Sequence, residues 1–192
     1  VNGHPKNPFK GKMTVSATGQ LSLIDTGYPL MFSEMTILTA FRTAAAAALA
    51  TDFLSREDAH VVAIIGTGAQ SEFQIRALQL VRDIREVRYF DIDEKAMDKF
   101  EKNMKDRQVT MSRCSSVQDA VKTADIITIC TASKKHASIV KDTWVKKGVH
   151  INGLGGDTAG KTELELKTLL RSRIVVEYFE QSFIEGEIQQ FS

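Results

Sequence analysis

The sequence has few of the residues that cross-link or interrupt small folds. Its 192 residues include two cysteines, three prolines and one tryptophan. Cys114 and Cys130 have neither CxxC nor zinc-ligand spacing, so we expect free thiols in a reducing, cytoplasmic setting. The four histidines do not cluster along the chain, and the sequence therefore predicts no metal site.

A strong charge of one sign and a long apolar run are also missing. The formal net charge is +1, and lysine and arginine are scattered, which predicts no nucleic-acid partner and no anionic membrane surface. No apolar run approaches the roughly 18 residues of a membrane span, and residues 1–8 are too polar for a signal peptide. The chain does not begin with Met, and we expect it to be part of a longer protein.

The sequence does contain a glycine turn, within residues 60–71. Five apolar residues at 61–65 predict a strand buried on both faces, and apolar residues at helical spacing follow the turn. Gly66 permits the tight turn, and Gly68 leaves room for a pyrophosphate on the free N–H groups of a helix N-terminus. The third glycine of a dinucleotide fingerprint is Ser71 here, so an ordinary strand–turn–helix remains the alternative.

An acidic residue about 20 positions after such a turn is expected to bind the ribose of a dinucleotide. Asp91 has this place, at the end of the next predicted strand. Its carboxylate would accept hydrogen bonds from the ribose hydroxyls and repel the additional phosphate of NADP, so it favours NAD. Asp91 also has the position of a turn aspartate; the two roles are compatible, and we predict both.

From residue 56 onward apolar strands alternate with helices, which predicts an α/β fold with a doubly wound parallel sheet. The predicted strands are 61–65, 87–91, 109–112, 126–130, 149–152 and 174–177. The predicted helices are 70–82, 94–105, 116–123, a short 139–146 segment and 163–171. The acidic, polar tail after residue 178 predicts the start of a helix that leaves the sheet.

The first 55 residues have a different pattern. Residues 1–13 are typical of loop or edge structure, since prolines and glycines interrupt them. Short β-prone runs follow at 14–17, 20–24 and 28–32. Together these runs resemble an antiparallel meander.

A long helix is predicted over residues 36–54. Ser33 has the features of its N-cap, and five consecutive alanines at 44–48 favour helix and close packing. Arg42 lies on this helix, where a solvated surface charge is the simplest interpretation. The charged connector 55–59 is a candidate domain boundary.

Ligands of open α/β sheets bind beyond the carboxyl ends of the strands. The fourth predicted strand ends in Thr131-Ala132-Ser133, small residues that leave room for a nucleotide. The fifth leads into Leu154-Gly155-Gly156-Asp157, where the glycines let backbone approach a ligand closely. Asp157 would then lie beside the nicotinamide as a proton acceptor; the alternative is a glycine loop in which Asp157 caps the next helix.

Six segments spread over nearly the whole chain form a recognisable set. They are GYP at 27–29, SEMT at 33–36, LTAFRTAA at 38–45, IGTGAQSEF at 65–73, GGD with GKTEL at 155–157 and 160–164, and IEGEIQQ at 184–190. Together they resemble the ornithine cyclodeaminase/μ-crystallin family. The GGD…GKTEL block resembles the ornithine cyclodeaminase branch in particular, although Ala159 stands where that branch usually has proline, which predicts a less rigid loop.

The resemblance implies a lyase of amino-acid metabolism that makes L-proline from L-ornithine. Bound NAD⁺ would take a hydride from the α-carbon, the δ-amino group would close on the resulting imine, ammonia would leave, and the hydride would return. The cofactor is regenerated in each turnover. The alternatives are an NAD(P)-dependent ketimine reductase or amino-acid dehydrogenase of the same family, and a non-catalytic, crystallin-like nucleotide-binding protein.

The resemblance also implies roles for individual residues. Asp157 would be the catalytic acid/base, and Arg42 would clamp the substrate carboxylate beside the cofactor. Lys6 is not expected to bind substrate, because the substrate lysine of the family lies just before the segment that begins at Val1. With the glycine turn, the predicted cofactor contacts are Thr14, Arg42, Gly66, Thr67, Gly68, Ala69, Gln70, Asp91, Thr131, Leu154, Gly155, Gly156, Asp157 and Lys161.

Family members are longer at both ends. The resemblance therefore implies that residues 1–55 are an incomplete α+β domain for substrate binding and dimerisation, with a connecting helix. Residues 56–180 would be the NAD-binding Rossmann domain, and 181–192 would begin a segment returning to the first domain. The resemblance further implies a small amino-acid substrate and a homodimer of the full-length protein. We expect the 192-residue piece to be inactive, because part of the substrate clamp lies outside it.

Overall fold

The protein was analysed as a computed structural model, which describes residues 2–4, 6–106, 108–132 and 137–191. Its first part consists of two antiparallel ribbons and a long helix. The ribbons pair β1 (Asn2–Gly3) with β2 (Val15–Ser16), and β3 (Thr18–Ser22) with β4 (Pro29–Glu34). The helix α1 (Thr36–Leu54) follows β4.

The second part alternates strands and helices. Its elements are β5 (Val61–Ile65), α2 (Ser71–Leu78), β6 (Glu86–Phe90), α3 (Glu94–Met104), β7 (Thr110–Arg113), α4 (Val117–Val121), β8 (Ile126–Ile129), β9 (His150–Gly153), α5 (Leu166–Leu170) and α6 (Phe179–Ile184). Three 3₁₀ turns lie at Pro8–Lys10, Asp142–Trp144 and Glu187–Phe191.

The five strands β5 to β9 form one parallel sheet in the order β7-β6-β5-β8-β9. The chain moves outward from β5 to β7 and then returns to the other side of β5 with β8. The strand order therefore reverses between β5 and β8, and a ligand crevice opens at the carboxyl ends of these two strands. The predicted fold class, a Rossmann-type doubly wound α/β sheet, is confirmed.

Alternate residues of β5 supply both faces of the sheet. Val62 and Ile64 pack with α2 and α3, whereas Ala63 and Ile65 pack with α4 and α5. All four side chains are buried, which explains why the strand is an unbroken apolar run. Each buried isoleucine contributes about 1.5–3 kcal/mol of transfer free energy, so the two clusters fix the strand in the centre of the sheet.

The predicted sixth strand at 174–177 is wrong. The segment has no strand pairing, and Ile174 and Val176 instead line an apolar cavity of about 330 Å³ together with side chains of α6 and the turn after it. β-Branched residues favour strands only where a partner strand is available for packing. Here the neighbouring helix takes that place.

The start of α1 also differs from the prediction. In place of one meander there are two separate ribbons, and the second ribbon pairs Ser33 with Gly19. Ser33 is therefore a strand residue, and the N-cap position is Met35. The Thr36 N–H donates to the carboxylate of Glu34, which takes over the capping role that we assigned to Ser33.

Two predicted helices are much shorter in the structure. The 139–146 segment contains one 3₁₀ turn, and the 163–171 segment becomes helical at Leu166. The reason is an isolated parallel bridge between Val140 and Leu164. The carbonyl of Glu163 accepts N–H groups from Ile139 and Val140, so both segments are extended where helices were expected.

Helix α1 packs on the sheet domain through both of its ends. Phe41 meets Phe73 of α2 edge to face, with ring centroids 5.2 Å apart, and Thr51 Oγ1 accepts a bond from Asn152 of β9. By length and composition α1 is the one helix of the described residues that could cross a membrane. It was not singled out from the sequence, because polar residues interrupt its apolar run. That test is weak evidence, because a core helix rich in alanine also passes it.

Asp125 connects the residues that precede β5 to the start of β8. Its Oδ2 accepts the N–H groups of His60 and Val61, each at 3.1 Å, and its Oδ1 lies 2.6 Å from Arg56 and 3.5 Å from Lys146. Burial alone would raise the pKa of Asp125, but the N–H groups and cations outweigh it and hold the pKa below the usual range. The carboxylate therefore stabilises the folded state at neutral pH.

We predict that Asp125→Asn lowers the free energy of unfolding at pH 7 by about 1–3 kcal/mol, since the single carboxamide oxygen can keep the two backbone N–H groups only if the NH₂ group faces the Arg56 and Lys146 cations. Because the folded pKa is depressed, this contribution is present above the unfolded pKa of about 3.9 and is lost as the pH falls through the lower folded value. Urea unfolding from pH 7 to pH 2 measures both effects. Asp58→Asn, which removes an exposed partner of the same Arg56, is the control and should change little. Equal losses in the two variants would contradict the prediction.

Candidate functional site

The glycine turn after β5 brings two strand ends into contact. Gly66 has φ +92°, and a Cβ on it would lie 2.9 Å from the Cys130 carbonyl oxygen. Glycine alone accepts both this backbone conformation and this approach. Around Gly68, in contrast, no atom of the described residues lies within 4 Å of a would-be Cβ, and Gly68 and Ala69 are exposed.

Ser71 closes the turn from within. Its side chain is fully buried, and Oγ donates to the Gly68 carbonyl at 2.8 Å. The serine that made the motif incomplete therefore supplies a bond that glycine could not. Gln70 precedes α2 and carries a buried side-chain oxygen with no hydrogen-bond partner among the described residues. The turn therefore offers one unused hydrogen-bond acceptor.

Asp91 fixes the same turn from the end of β6. Its Oδ2 accepts the Thr67 N–H at 2.6 Å and the Thr67 hydroxyl at 3.2 Å, and its Oδ1 accepts the Asp93 N–H at 3.0 Å. The predicted turn role is thus confirmed. A carboxylate offers about four acceptor sites, so capacity for ribose hydroxyls remains.

The end of β8 lies directly beside the glycine turn. The Cys130 thiol donates to the Gly66 carbonyl at 3.0 Å. Burial, with a smaller contribution from nearby Glu163 and Asp91, raises the pKa of Cys130 to about 12, so the thiol is not a nucleophile. Thr131 follows with a half-buried side chain, and Ala132 is exposed. Ser133 lies outside the described residues.

The loop after β9 carries an ion pair between Asp157 and Lys161. Lys161 Nζ lies 3.1 Å from Asp157 Oδ1 and also donates to the Thr131 carbonyl at 3.1 Å. The lysine side chain is 4% exposed and the aspartate 71% exposed. The buried cation is therefore anchored at β8 and holds a carboxylate that faces solvent. Asp157 does not cap the next helix, because α5 begins after Glu165.

The remaining predicted contacts on this loop belong to its backbone. The Leu154 N–H continues the sheet by donating to Ile129 at 3.1 Å, and Leu154 is half-buried. Gly155 is buried, and a Cβ on it would overlap the carboxyl group of Glu163. Glu163 is fully buried and accepts a bond from the Thr131 hydroxyl. We did not assign it a role from the sequence, where it is one acidic residue among many.

The C-terminal segment Glu187–Phe191 packs back onto this loop. The helix predicted after residue 178 is present as α6, but the chain that follows it returns to the sheet domain instead of leaving it. The Glu187 carboxylate accepts the N–H groups of Glu163 and Leu164 at 2.8 and 3.1 Å. The Gln189 side chain accepts the Gly160 N–H at 2.6 Å and donates to the Lys161 carbonyl at 2.8 Å. The sequence signal was the polar GEIQQ string, whose bonding partners lie more than 20 residues earlier.

The polar contacts of Arg42 and Thr14 among the described residues are made outside the glycine turn. Arg42 Nη1 lies 4.0 Å from Glu177 Oε2 with both side chains exposed. The Thr14 carbonyl accepts the His4 N–H at 2.9 Å, at the first ribbon. Arg42 is adjacent in α1 to Phe41, whose ring packs on Phe73 in the first turn of α2.

These residues fit a dinucleotide. The open Gly68 leaves space beside a helix N-terminus, Asp91 retains acceptor sites, and the orphaned Gln70 oxygen has no protein partner in the described ranges. The ends of β5, β8 and β9 thus converge on one crevice, with Asp157 and Lys161 at its β9 side. The arrangement can bind a nucleotide and can move a proton at Asp157.

The whole chain, residues 1–192, matches the model of the ornithine cyclodeaminase/mu-crystallin family. It is 53% identical over 190 residues to a protein named ornithine cyclodeaminase from Agrobacterium tumefaciens (strain Ach5), covering 99% of this chain and 53% of the relative. The chain therefore spans about half the length of the curated relatives it matches.

Solved structures of related enzymes have the same fold. An archaeal alanine dehydrogenase dimer with bound NAD superposes with a TM-score of 0.89 at 39% identity, covering 98% of this chain and 58% of that one. A lysine cyclodeaminase that recognises L-lysine, L-ornithine and L-2,4-diaminobutyric acid superposes with a TM-score of 0.92 at 34% identity, covering 98% of this chain and 55% of that one.

We predict that Glu187→Gln loosens the 160–164 loop. The carboxamide has one acceptor oxygen, so one of the two backbone N–H groups faces an NH₂ group, at a cost of about 1–3 kcal/mol. Hydrogen–deuterium exchange of peptides covering the loop should become faster, and urea unfolding should shift to lower concentration. Glu185→Gln, two residues away with the Gln181 side chain as its partner, is the control. Unchanged exchange in the loop would refute the role of Glu187.

Proposed function

The chain belongs to the ornithine cyclodeaminase/mu-crystallin family, and on that premise we propose that the full-length protein converts L-ornithine to L-proline and ammonia, with NAD as its cofactor. The observation that carries the proposal is the Asp157–Lys161 ion pair at the end of β9, beside the glycine turn. The 53% identity to a protein named ornithine cyclodeaminase supports the choice of substrate.

The glycine turn and three strand ends would hold the cofactor, which accepts and returns a hydride when bound. The residues that would contact it are Thr14, Arg42, Gly66, Thr67, Gly68, Ala69, Gln70, Asp91, Thr131, Leu154, Gly155, Gly156, Asp157 and Lys161. Structures of relatives with NAD or NADH support this cofactor. The carboxylate of Asp91 would select NAD over NADP by repelling the additional phosphate.

Asp157 would act as the acid/base. Its exposed carboxylate takes a proton from the substrate α-amine and returns one when ammonia leaves. Lys161 orients the carboxylate through the 3.1 Å ion pair and is itself fixed at the Thr131 carbonyl. The positive charge therefore remains beside Asp157 in each protonation step.

Arg42 would bind the substrate carboxylate. In the structure its contact is a 4.0 Å ion pair with Glu177, and both side chains are more than 60% exposed. Such pairs contribute about 0–1 kcal/mol. A bidentate bond to a substrate carboxylate is stronger, so Arg42 can exchange Glu177 for the substrate at little cost.

We further propose the domain division 1–55, 56–180 and 181–192, as an α+β substrate and dimerisation part, the NAD-binding Rossmann domain, and a return segment. The return segment is supported by the contacts of Glu187 and Gln189 with the Asp157 loop. The full-length protein would be a cytoplasmic homodimeric lyase of proline biosynthesis. The alanine dehydrogenase dimer supports the oligomeric state.

A second candidate function is an amino-acid dehydrogenase or ketimine reductase of the same fold. It is favoured by 40% identity over 188 residues to a protein named alanine dehydrogenase from Archaeoglobus fulgidus. Net oxidation of NADH with pyruvate and ammonia, or with a cyclic ketimine, would favour this candidate. Formation of proline without net change in NADH would favour the cyclodeaminase.

We predict that Asp157→Asn in the full-length protein lowers turnover of L-ornithine by roughly 10²- to 10⁴-fold, the usual contribution of a general acid/base. Release of ammonia and formation of L-proline with NAD⁺ measure the activity, and calorimetric titration with NAD⁺ should give a nearly unchanged Kd. The control is Asp98→Asn, which changes an exposed residue of α3 that pairs with Arg113. Full turnover by Asp157→Asn would exclude it as acid/base, and no proline from the wild type would overturn the cyclodeaminase proposal.

We also predict that Asp91→Asn reduces the preference for NAD over NADP by roughly tenfold, equivalent to about 1.4 kcal/mol, because the repelling charge is lost. The side-chain oxygen that accepts the Thr67 N–H is retained, so the glycine turn stays closed, and the NH₂ group takes the place of the oxygen that accepts the Asp93 N–H. Titrations with both nucleotides measure the ratio of the two Kd values. Asp93→Asn, the N-cap of α3 two residues further on, should leave the ratio unchanged; an unaltered ratio in Asp91→Asn would contradict the assignment.

A further inference from the structure

Glu163 is a fully buried carboxyl group for which the proposed reaction has no use. Its Oε1 accepts the hydroxyl of Thr131, whereas its Oε2 is buried without a hydrogen-bond partner among the described residues. The same carboxyl group fills the place where Gly155 would carry a Cβ. An unpaired buried oxygen costs about 1–3 kcal/mol, so its position requires an explanation other than stability.

The carboxyl group lies between two strand ends. Thr131 follows β8, Gly155 follows β9, and these strands are neighbours in the sheet. Both residues are proposed contacts of the cofactor. The Glu163 side chain contacts each of them, so its length sets how far apart they lie.

The backbone of Glu163 is held on both sides. Its N–H donates to Glu187 at 2.8 Å, and its carbonyl accepts the N–H groups of Ile139 and Val140. The side chain therefore starts from a fixed point, and the carboxyl group reaches Thr131 and Gly155 from an anchored backbone.

The surroundings favour the neutral acid. Burial raises the pKa of Glu163, and the nearby Glu187 and Asp157 carboxylates raise it further. The Thr131 hydroxyl and the Lys161 ammonium act in the opposite direction but do not outweigh burial. A neutral carboxyl group can pack against the Cα of Gly155 where a charged one would lack solvation.

We propose that Glu163 is a positioning residue whose carboxyl group, by its shape and its bond to Thr131, sets the spacing between Thr131 and Gly155 and thereby the geometry in which NAD is bound. This inference rests on the proposed function for the identity of the cofactor. It does not depend on the amino acid that the enzyme transforms.

The test is NAD⁺ affinity, measured by calorimetric titration of the full-length protein. Glu163→Gln keeps the size of the side chain and the acceptor for Thr131, and its Kd should stay within about threefold of the wild type. Glu163→Ala removes the spacer, and its Kd should rise at least tenfold. The control is Glu165→Ala, two residues after Glu163. It removes a carboxylate that accepts the Asp142 backbone N–H and should leave the Kd unchanged.

Thr131→Val completes a double-mutant cycle. Because each single change removes the same Glu163–Thr131 bond, the loss in Glu163→Ala combined with Thr131→Val should be smaller than the sum of the single losses. Should Glu163→Ala fail to fold, Glu163→Asp takes its place, since it is shorter by one methylene and draws back from both contacts. Unchanged affinity in the shortened variants, or equal losses in Glu163→Gln and the shortened variants, would overturn the proposal.

The pH dependence of stability gives a readout independent of binding. Since the folded pKa is raised, the stabilising contribution of Glu163 is present below the unfolded pKa of about 4.3 and is lost as the pH rises through the folded value. Glu163→Gln should remove this part of the pH dependence of urea unfolding, and an identical dependence in both proteins would overturn the neutral assignment. A wild type that binds NAD⁺ but forms no proline would refute the proposed reaction and leave Glu163 testable through the Kd. A wild type that binds no NAD⁺ overturns both.

Discussion

The site depends on the close approach of backbone to backbone at the carboxyl edge of the sheet. Gly66 lies so near the Cys130 carbonyl that no side chain fits between them. This approach brings the end of β8 against the glycine turn, and Asp91 locks the turn from the end of β6. Three strands thereby end in one crevice, and the strand order of the parallel sheet reverses at that point, between β5 and β8.

Polar bonds order the loop that closes this crevice. Lys161 ties the loop to Thr131, and Glu163 spaces Thr131 from Gly155. Glu187 and Gln189 then bond its backbone from a segment more than 20 residues later. The geometry around Asp157, the proposed acid/base, therefore depends on two parts of the chain that are distant in sequence.

The fold could be predicted from the sequence because its signals are local. The apolar run of β5 reports burial on both faces, and Gly66 and Asp91 have the spacing that a strand–turn–helix unit imposes. Signals that depend on a partner were less informative. Residues 174–177 have the composition of a strand, but their apolar side chains pack on α6, and Ser33 resembles an N-cap although it pairs with Gly19.

By itself the sequence determined the α/β class, the five strands that form the sheet, the glycine turn and the choice of Asp91, since spacing along the chain is enough for each. Asp157 and Lys161 became candidates through the resemblance to the family, because spacing alone left the role of Asp157 open. Only the tertiary structure decided that Lys161 is buried against Thr131, that Glu163 separates two strand ends, and that Glu187 holds the loop. These three facts are long-range hydrogen bonds, and a carboxylate that accepts a distant N–H has the same local sequence as one that faces water.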